Sequence, residues 1–117
     1  MHHQIITQVI HASALENADG QTVATKIATT NQLECWTTIS AISGTGATIE
    51  LILECSVDGT NWLEVGRNSS VIGTGTYAIA TARGDTPLGT RARLRWDMSG
   101  TTPTVTFVST LAYKEGV

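Results

Sequence analysis

Two stretches that each read as a strand followed by a turn constrain the fold of this 117-residue chain most strongly. The first is Glu54–Trp62 (ECSVDGTNW), with Asp58-Gly59 at its turn, where both residues tolerate the backbone angles of a tight hairpin. The second is Arg91–Phe107 (RARLRWDMSGTTPTVTF), which repeats the device with Ser99–Pro103 as its turn. We therefore expect strands joined by short hairpin connections.

Alternation of apolar and polar residues recurs along the chain, and no window longer than about eight residues holds a helical period. Gly-rich and polar segments between the alternating runs, Ser43–Gly46 among them, are the expected turns. The predicted strands are Gln4–Ala14, Thr22–Thr29, Leu33–Ile42, Thr48–Val57, Trp62–Arg67, Gly75–Ala82, Thr90–Met98 and Thr104–Tyr113. About eight such strands predict an all-β, single-domain antiparallel β-sandwich or jelly roll over residues 1–117, with a meander barrel as the second choice.

The charge of the chain argues against several classes of partner. The net charge of −3 gives no basic field for nucleic acid or for an anionic membrane. No apolar run approaches the roughly twenty residues of a membrane helix, and the N-terminus has no signal pattern, so we expect synthesis in the cytoplasm. Charged residues make up 15% of the chain, below the roughly 25% of typical soluble domains.

The arginines are concentrated in one strand. Arg91, Arg93 and Arg95 form a stripe on one face, while Glu50 and Glu54 lie on one face of another predicted strand. We favour pairing of these charges across strands within the chain, and pairing between subunits is the alternative. Arginine forks in such a stripe also suit acidic or phosphate-bearing partners.

No combination of residues predicts catalysis. The histidines His2, His3 and His11 are all N-terminal, and an exposed tail is favoured over a metal site formed by His3, His11 and a carboxylate. No serine lies in a Gly-x-Ser-x-Gly elbow, and the glycine pairs lack the residues of a phosphate loop. We expect no enzyme activity, no catalytic residue, no cofactor and no metal ion.

Alternation of apolar and polar residues predicts which tryptophans and cysteines lie in the core and which point outward. Trp62 and Trp96 are expected in the core, whereas Trp36 points away from its apolar neighbours and is either covered by a loop or part of an interface. Cys35 and Cys55 lie beside apolar residues, so two buried thiols are favoured over a disulfide between neighbouring strands.

Three segments together carry a family resemblance: Ser56–Trp62, Tyr77 at the head of a strand, and Arg91–Phe107. Across residues 48–110 the pattern resembles small β-sandwich proteins that are common among the virion components of tailed bacteriophages. The resemblance implies a capsid decoration (cement) protein, made in the host cytoplasm and placed on the capsid surface of the virion. It would bind the major capsid protein as a homo-oligomer, expected to be a trimer. A neck, tail or baseplate component and a carbohydrate- or receptor-binding module are the alternatives.

The segment Met1–Ile10 is predicted to be an N-terminal arm that reaches a neighbouring subunit or the capsid. The residues predicted to lie at an interface are His2, His3, Ile5, Trp36, Arg91, Arg93 and Arg95.

Overall fold

A computed structural model of the chain describes residues 4–27, 32–82 and 88–115, and it contains one antiparallel sheet of seven strands. The strands are β1 (Gln4–Glu16), β2 (Gly20–Gln21), β3 (Thr25–Lys26), β4 (Gln32–Ser56), β5 (Leu63–Val71), β6 (Gly75–Ala82) and β7 (Arg91–Glu115). The predicted all-β class is confirmed, and the described ranges contain no helix.

Two long strands organise the sheet. β4 and β7 have 25 residues each and pair along nearly their whole length, from Leu33 opposite Tyr113 to Ser56 opposite Arg91. A straight strand of that length would span roughly 80 Å, but the longest dimension of the molecule is 50 Å. Both strands must therefore bend, and register shifts place the bend, here called the corner, at residues 43–48 and 99–104.

The corner divides the sheet into two halves that face each other. The β6 half consists of β6, residues 32–43 of β4, residues 104–115 of β7, and β1. The β5 half consists of β5, residues 48–56 of β4, residues 91–99 of β7, and the short strands β2 and β3. Apolar side chains from both halves form one core, so the sandwich is a single sheet folded over itself.

The corner corrects two of the predicted turns. Ser43–Gly46 and Ser99–Pro103 do not connect strands; they lie within β4 and β7 and pair with each other across the bend. Gly44 has a φ of 117° and Gly100 a φ of 113°, values that residues other than glycine rarely adopt. Two predicted pairs of strands are thus two bent strands, and the short strand β2 was not predicted, so the described residues contain seven strands and not the predicted eight.

The other turn of the opening pattern is confirmed. Asp58 and Gly59 follow β4, and Gly59 has a φ of 79°. The carboxylate of Asp58 accepts hydrogen bonds from the backbone N–H groups of Asn61 and Thr60, at 2.8 Å each. These bonds hold the pKa of Asp58 well below its usual range.

Aromatic rings join the two halves in the core. The ring of Phe107 stacks on His11 at 4.0 Å and meets Trp96 edge-on at 5.3 Å. His11 is therefore not part of an exposed tail, which corrects that prediction, and Trp96 lies in the core as predicted. Nε2 of His11 lies 2.8 Å from the Glu16 carboxylate, and Nδ1 lies 3.0 Å from the Phe107 carbonyl oxygen. The ring and polar contacts of His11 together anchor the C-terminal part of β1 to the core.

Both cysteines are buried thiols outside any disulfide, as predicted. Burial raises the pKa of Cys35 to about 11, and a hydrogen bond with the Thr37 side chain opposes part of that shift.

We expect both thiols to resist an aromatic disulfide reagent at pH 8 in the native protein and to react in denaturant. The pKa of the Cys35 thiol alone lowers its thiolate fraction by roughly 100-fold relative to an exposed cysteine. The measurement is the labelling rate, with Val23→Cys as a control that introduces an exposed thiol. Equally fast labelling of the native thiols and of the control thiol would contradict this burial.

Candidate interaction surface

The outer face of the β5 half carries charges that are paired within the chain. Arg93 Nε donates to Glu54 Oε1 at 2.8 Å, and Arg95 Nε donates to Glu54 Oε2 at 3.4 Å. Arg95 Nη1 also lies 3.0 Å from Asp97. The Glu54 side chain is only 10% exposed, so this group of charges is closed on itself and presents little unpaired charge to a partner.

A second group of paired charges continues this face. Arg67 bonds both Glu50 and Glu64 at 2.6 Å. The bonds to Arg67 hold the pKa of Glu64 below its usual range. Ile52 lies between Glu50 and Glu54 on the same face of β4 and is fully buried. We call this surface the charged face.

The predicted cross-strand pairing of Glu50 and Glu54 with the arginines of β7 is confirmed in part. Glu54 and Arg93 are direct cross-strand partners. Glu50 bonds Arg67 of β5 and no arginine of the β7 stripe. Arg91 Nη1 donates to Thr90 Oγ1 at 3.4 Å, at the end of the strand. The predicted interface role of the three β7 arginines stays a prediction, although Arg93 and Arg95 already form ion pairs within the chain.

Trp62 belongs to the charged face and not to the core. Its ring is half-buried, and the guanidinium of Arg93 lies 4.1 Å from the ring centroid. The prediction of a core Trp62 was wrong because the ring gains a cation–π contact at the surface, which alternation alone does not show.

The outer face of the β6 half is nearly free of charge. Four strands lie side by side in the order β6, β4, β7 and β1, and cross-strand pairing arranges their outward residues in rows. The central row consists of Ala78, Trp36, Thr110 and Val9, and the next row consists of Ala80, Glu34, Ala112 and Thr7. The outer rows include Thr76, Thr38 and Val108 on one side, and Lys114 and Ile5 on the other.

We call these outward residues the neutral face, since Glu34 and Lys114 are its charged members among the residues that the structure describes. The exposed apolar side chains are large: Trp36 is 48% exposed, Ile5 65% and Val9 63%. The carboxylate of Glu34 accepts a hydrogen bond from Trp36 Nε1 at 2.9 Å, which fixes the direction of the indole. Several large apolar side chains exposed on one face are typical of an interaction surface.

The neutral face is shallow. A cavity of about 110 Å³ lies beside Ile5 and Tyr113, and another of about 260 Å³ lies beside Ala80 and Thr81. Both are smaller than the roughly 300 Å³ at which small-molecule sites begin. The geometry is therefore that of a flat contact with a macromolecule more than that of a ligand pocket.

The structure brings Ile5 and Trp36 together on one face and separates them from the arginines. The outward direction of Trp36 is confirmed. His2 and His3 lie outside the described residues. The described part of the predicted arm, residues 4–10, is the beginning of β1 and pairs with β7 of the same chain, so it is an edge strand and not a free extension.

Sequence reasoning missed the other members of the neutral face, above all Val9, Val108 and Ala78. Alternation within Gln4–Ile10 signals that Ile5 and Val9 share a face. Nothing local indicates that β1 lies two strands from Trp36, because that neighbourhood depends on the pairing of β7 with both β1 and β4.

Two kinds of feature are absent from the residues that the structure describes. Within those ranges, no three His, Cys, Asp or Glu side chains are grouped to hold a metal ion. In the same part of the chain, no helix is long and apolar enough to cross a membrane.

Comparison with known proteins shows a likeness of fold. No family model and no curated protein matches the sequence. Among solved structures, the SPBc2 prophage-derived protein YomS matches with a TM-score of 0.52 and 11% identity over 96% of each chain. A chain of the T13 IBDV viral particle matches with a TM-score of 0.59 and 12% identity over 97% of this chain, which spans 31% of that protein. A family 29 carbohydrate-binding module matches at a TM-score of 0.48. The chain therefore shares its antiparallel β-fold with a phage-derived protein and with part of a viral particle protein.

Proposed function

We propose that the chain is a structural virion protein, specifically a capsid decoration protein on the outside of a phage head. In this role it binds the lattice of the major capsid protein and stabilises the shell. The neutral face carries the proposal, since it is a broad, nearly uncharged sheet surface with a half-exposed tryptophan. The fold shared with YomS and with the IBDV viral particle chain supports a virion role.

The composition of the neutral face suits protein contact. Alanine and valine lose little hydration free energy on burial, and a threonine hydroxyl can hydrogen-bond to the partner, whereas an unpaired charge loses much. Trp36 supplies the large aromatic anchor that is enriched among residues dominating binding energy. The charged face is less suited, because a partner would have to compete with the Glu54–Arg93 pair.

The size of the neutral face explains why a lattice is a suitable partner. Four strands and four rows cover about 500 Å², less than the roughly 800 Å² per partner of a standard stable interface. One such contact is weak, but several copies acting together on a repeating lattice gain affinity through avidity. Binding that favours the assembled shell over its free subunits stabilises the shell by mass action.

The proposal names two partners, the major capsid protein and further copies of the chain. The trimer implied by the family resemblance is the starting expectation for the oligomer. The role requires no catalytic residue, cofactor, nucleic acid or membrane, and we propose that the chain is not an enzyme.

We expect Trp36→Ala to weaken binding to expanded, undecorated phage capsids by at least about tenfold, the loss typical of a central aromatic anchor. The measurement is co-sedimentation with capsids at increasing protein concentration, together with the heat resistance of the decorated shells. Ile72→Ala is the matched control because Ile72 is an exposed apolar residue outside the neutral face. Equal capsid binding by the parent and by Trp36→Ala would contradict a role for the neutral face.

A carbohydrate-binding module is the second candidate, favoured by the exposed Trp36 whose indole is fixed by Glu34. It predicts that a glycan array gives signals which Trp36→Ala abolishes, together with indifference to capsids. A neck, tail or baseplate component instead predicts a large ring in solution.

A further inference from the structure

β1 presents an unprotected edge of the sheet. It pairs with β7 on one side, and no strand among the described residues pairs with its other side. From Gln4 to Val9 the pairing with β7 has no register shift, and the first shift follows Val9. Exposed edges normally carry lysine, proline or bulges that prevent pairing with another chain. Residues 4–10 contain no proline and no Asp, Glu, Lys or Arg, so this regular stretch lacks those safeguards.

We propose that this edge pairs with the same edge of a second copy of the chain. An antiparallel pairing about a two-fold axis at Thr7 places Ile5 of each copy beside Val9 of the other. These two side chains are 65% and 63% exposed in the single chain, and pairing would cover both. In this pairing Ile5 faces Val9, apolar opposite apolar, while positions 4 and 8 set glutamine opposite isoleucine, and no like charges are opposed. A two-fold contact is isologous, so one edge supplies both sides of it.

The size of the contact predicts its strength. A ladder of about seven residues per copy covers less than the roughly 1,200 Å² of standard interfaces, so the dimer should form reversibly with concentration. A two-fold contact also yields a dimer as the basic unit and not the trimer that the family resemblance implies.

The pairing would join two sheets in the order β6, β4, β7 and β1 from each copy. The neutral faces of the two copies would then form one surface of about 1,000 Å², twice the area of one face. This consequence for shell binding rests on the proposed function. The pairing itself does not, and it is measurable without capsids.

A charge swap at the axis tests the pairing. Thr7 is exposed, and Thr7→Lys places two lysines opposite each other, as Thr7→Glu does with two carboxylates. At low ionic strength each variant alone should dimerise with a dissociation constant about fivefold or more above that of the parent. In an equimolar mixture of the two variants, the dissociation constant should be within about twofold of the parent's, because lysine of one copy then faces glutamate of the other.

Sedimentation velocity over a wide concentration range gives the masses. The parent should approach twice the chain's 12.4 kDa. Ala80→Lys, at an exposed position on the opposite edge strand β6, is the control and should dimerise as the parent does. Any of three results would overturn the pairing. The parent could remain at 12.4 kDa at all concentrations, or it could form a trimer whose mass Thr7→Lys leaves unchanged. The third result is a mixture of the two variants that dimerises as weakly as either variant alone. Capsid co-sedimentation of the parent is measured separately, so failure of the pairing is distinguishable from failure of the decoration role.

Discussion

Gly100→Ala is expected to destabilise the protein by about 3 kcal/mol or more. Gly100 lies at the corner of β7 with a φ of 113°, a conformation that alanine adopts only with strain. A Cβ at this position would also lie 2.8 Å from the backbone oxygen of Gly46 and 2.9 Å from the backbone of Ala47. Because the obstacle is backbone, no rotamer change relieves it, and the bend itself would have to open.

Gly46→Ala is the matched control on the facing strand. Gly46 also has a positive φ, 65°, but a Cβ there would meet nothing within 4 Å. Gly46→Ala should therefore lower the unfolding free energy by the conformational penalty alone, about 1 kcal/mol. Urea unfolding followed by far-UV circular dichroism measures both variants. Equal losses of unfolding free energy would mean that the corner is not tightly packed as described.

Phe107→Ala has the second large expected effect, a loss of about 3–5 kcal/mol. The ring is fully buried, stacks on His11 of β1 and meets the edge of Trp96 across the fold. Its removal leaves a cavity at the point where the two sheet halves and the edge strand come together. That loss is a large share of the roughly 5–15 kcal/mol that stabilises a typical domain.

Phe107→Leu separates cavity formation from aromatic contact. Leucine refills most of the space, so it should cost clearly less than alanine while losing both ring contacts. The measurement is again the unfolding free energy, with the near-UV circular dichroism of the aromatic side chains as a second probe. Phe107→Ala and Phe107→Leu with equal cost would indicate that the ring contacts matter and the cavity does not.

Alternation predicted which side chains face the core because it is a local property of a strand. On the second part of β4, Cys55 is buried as predicted, and alternation places Ile49, Leu51 and Leu53 on the same buried side. The outward direction of Trp36 followed from the same parity. The limits of β6, Gly75–Ala82, were predicted to the residue since glycine begins the strand.

The corner could not be predicted locally. Ser43–Gly46 and Ser99–Pro103 have the composition of turns, and the same residues serve a bend inside a strand when a second strand bends beside them. Only the long register between β4 and β7 distinguishes a bend from a hairpin. The extent of the neutral face was hidden for the same reason, since Val9 reaches the neighbourhood of Trp36 only through Thr110.

The proposed dimer and the proposed shell contact use adjacent surfaces that separate variants can test. Thr7 lies at the free edge and Trp36 near the centre of the neutral face. We therefore expect Trp36→Ala to dimerise normally while it binds capsids weakly.

The most direct test of the decoration role is an electron cryomicroscopy map of expanded, undecorated phage capsids incubated with saturating protein. We predict added density at the symmetry points of the lattice, fitted by the β-sandwich with Trp36 and the neutral face against the shell. A map without added density at saturation, or with the sandwich bound through Arg93 and the charged face, would contradict it.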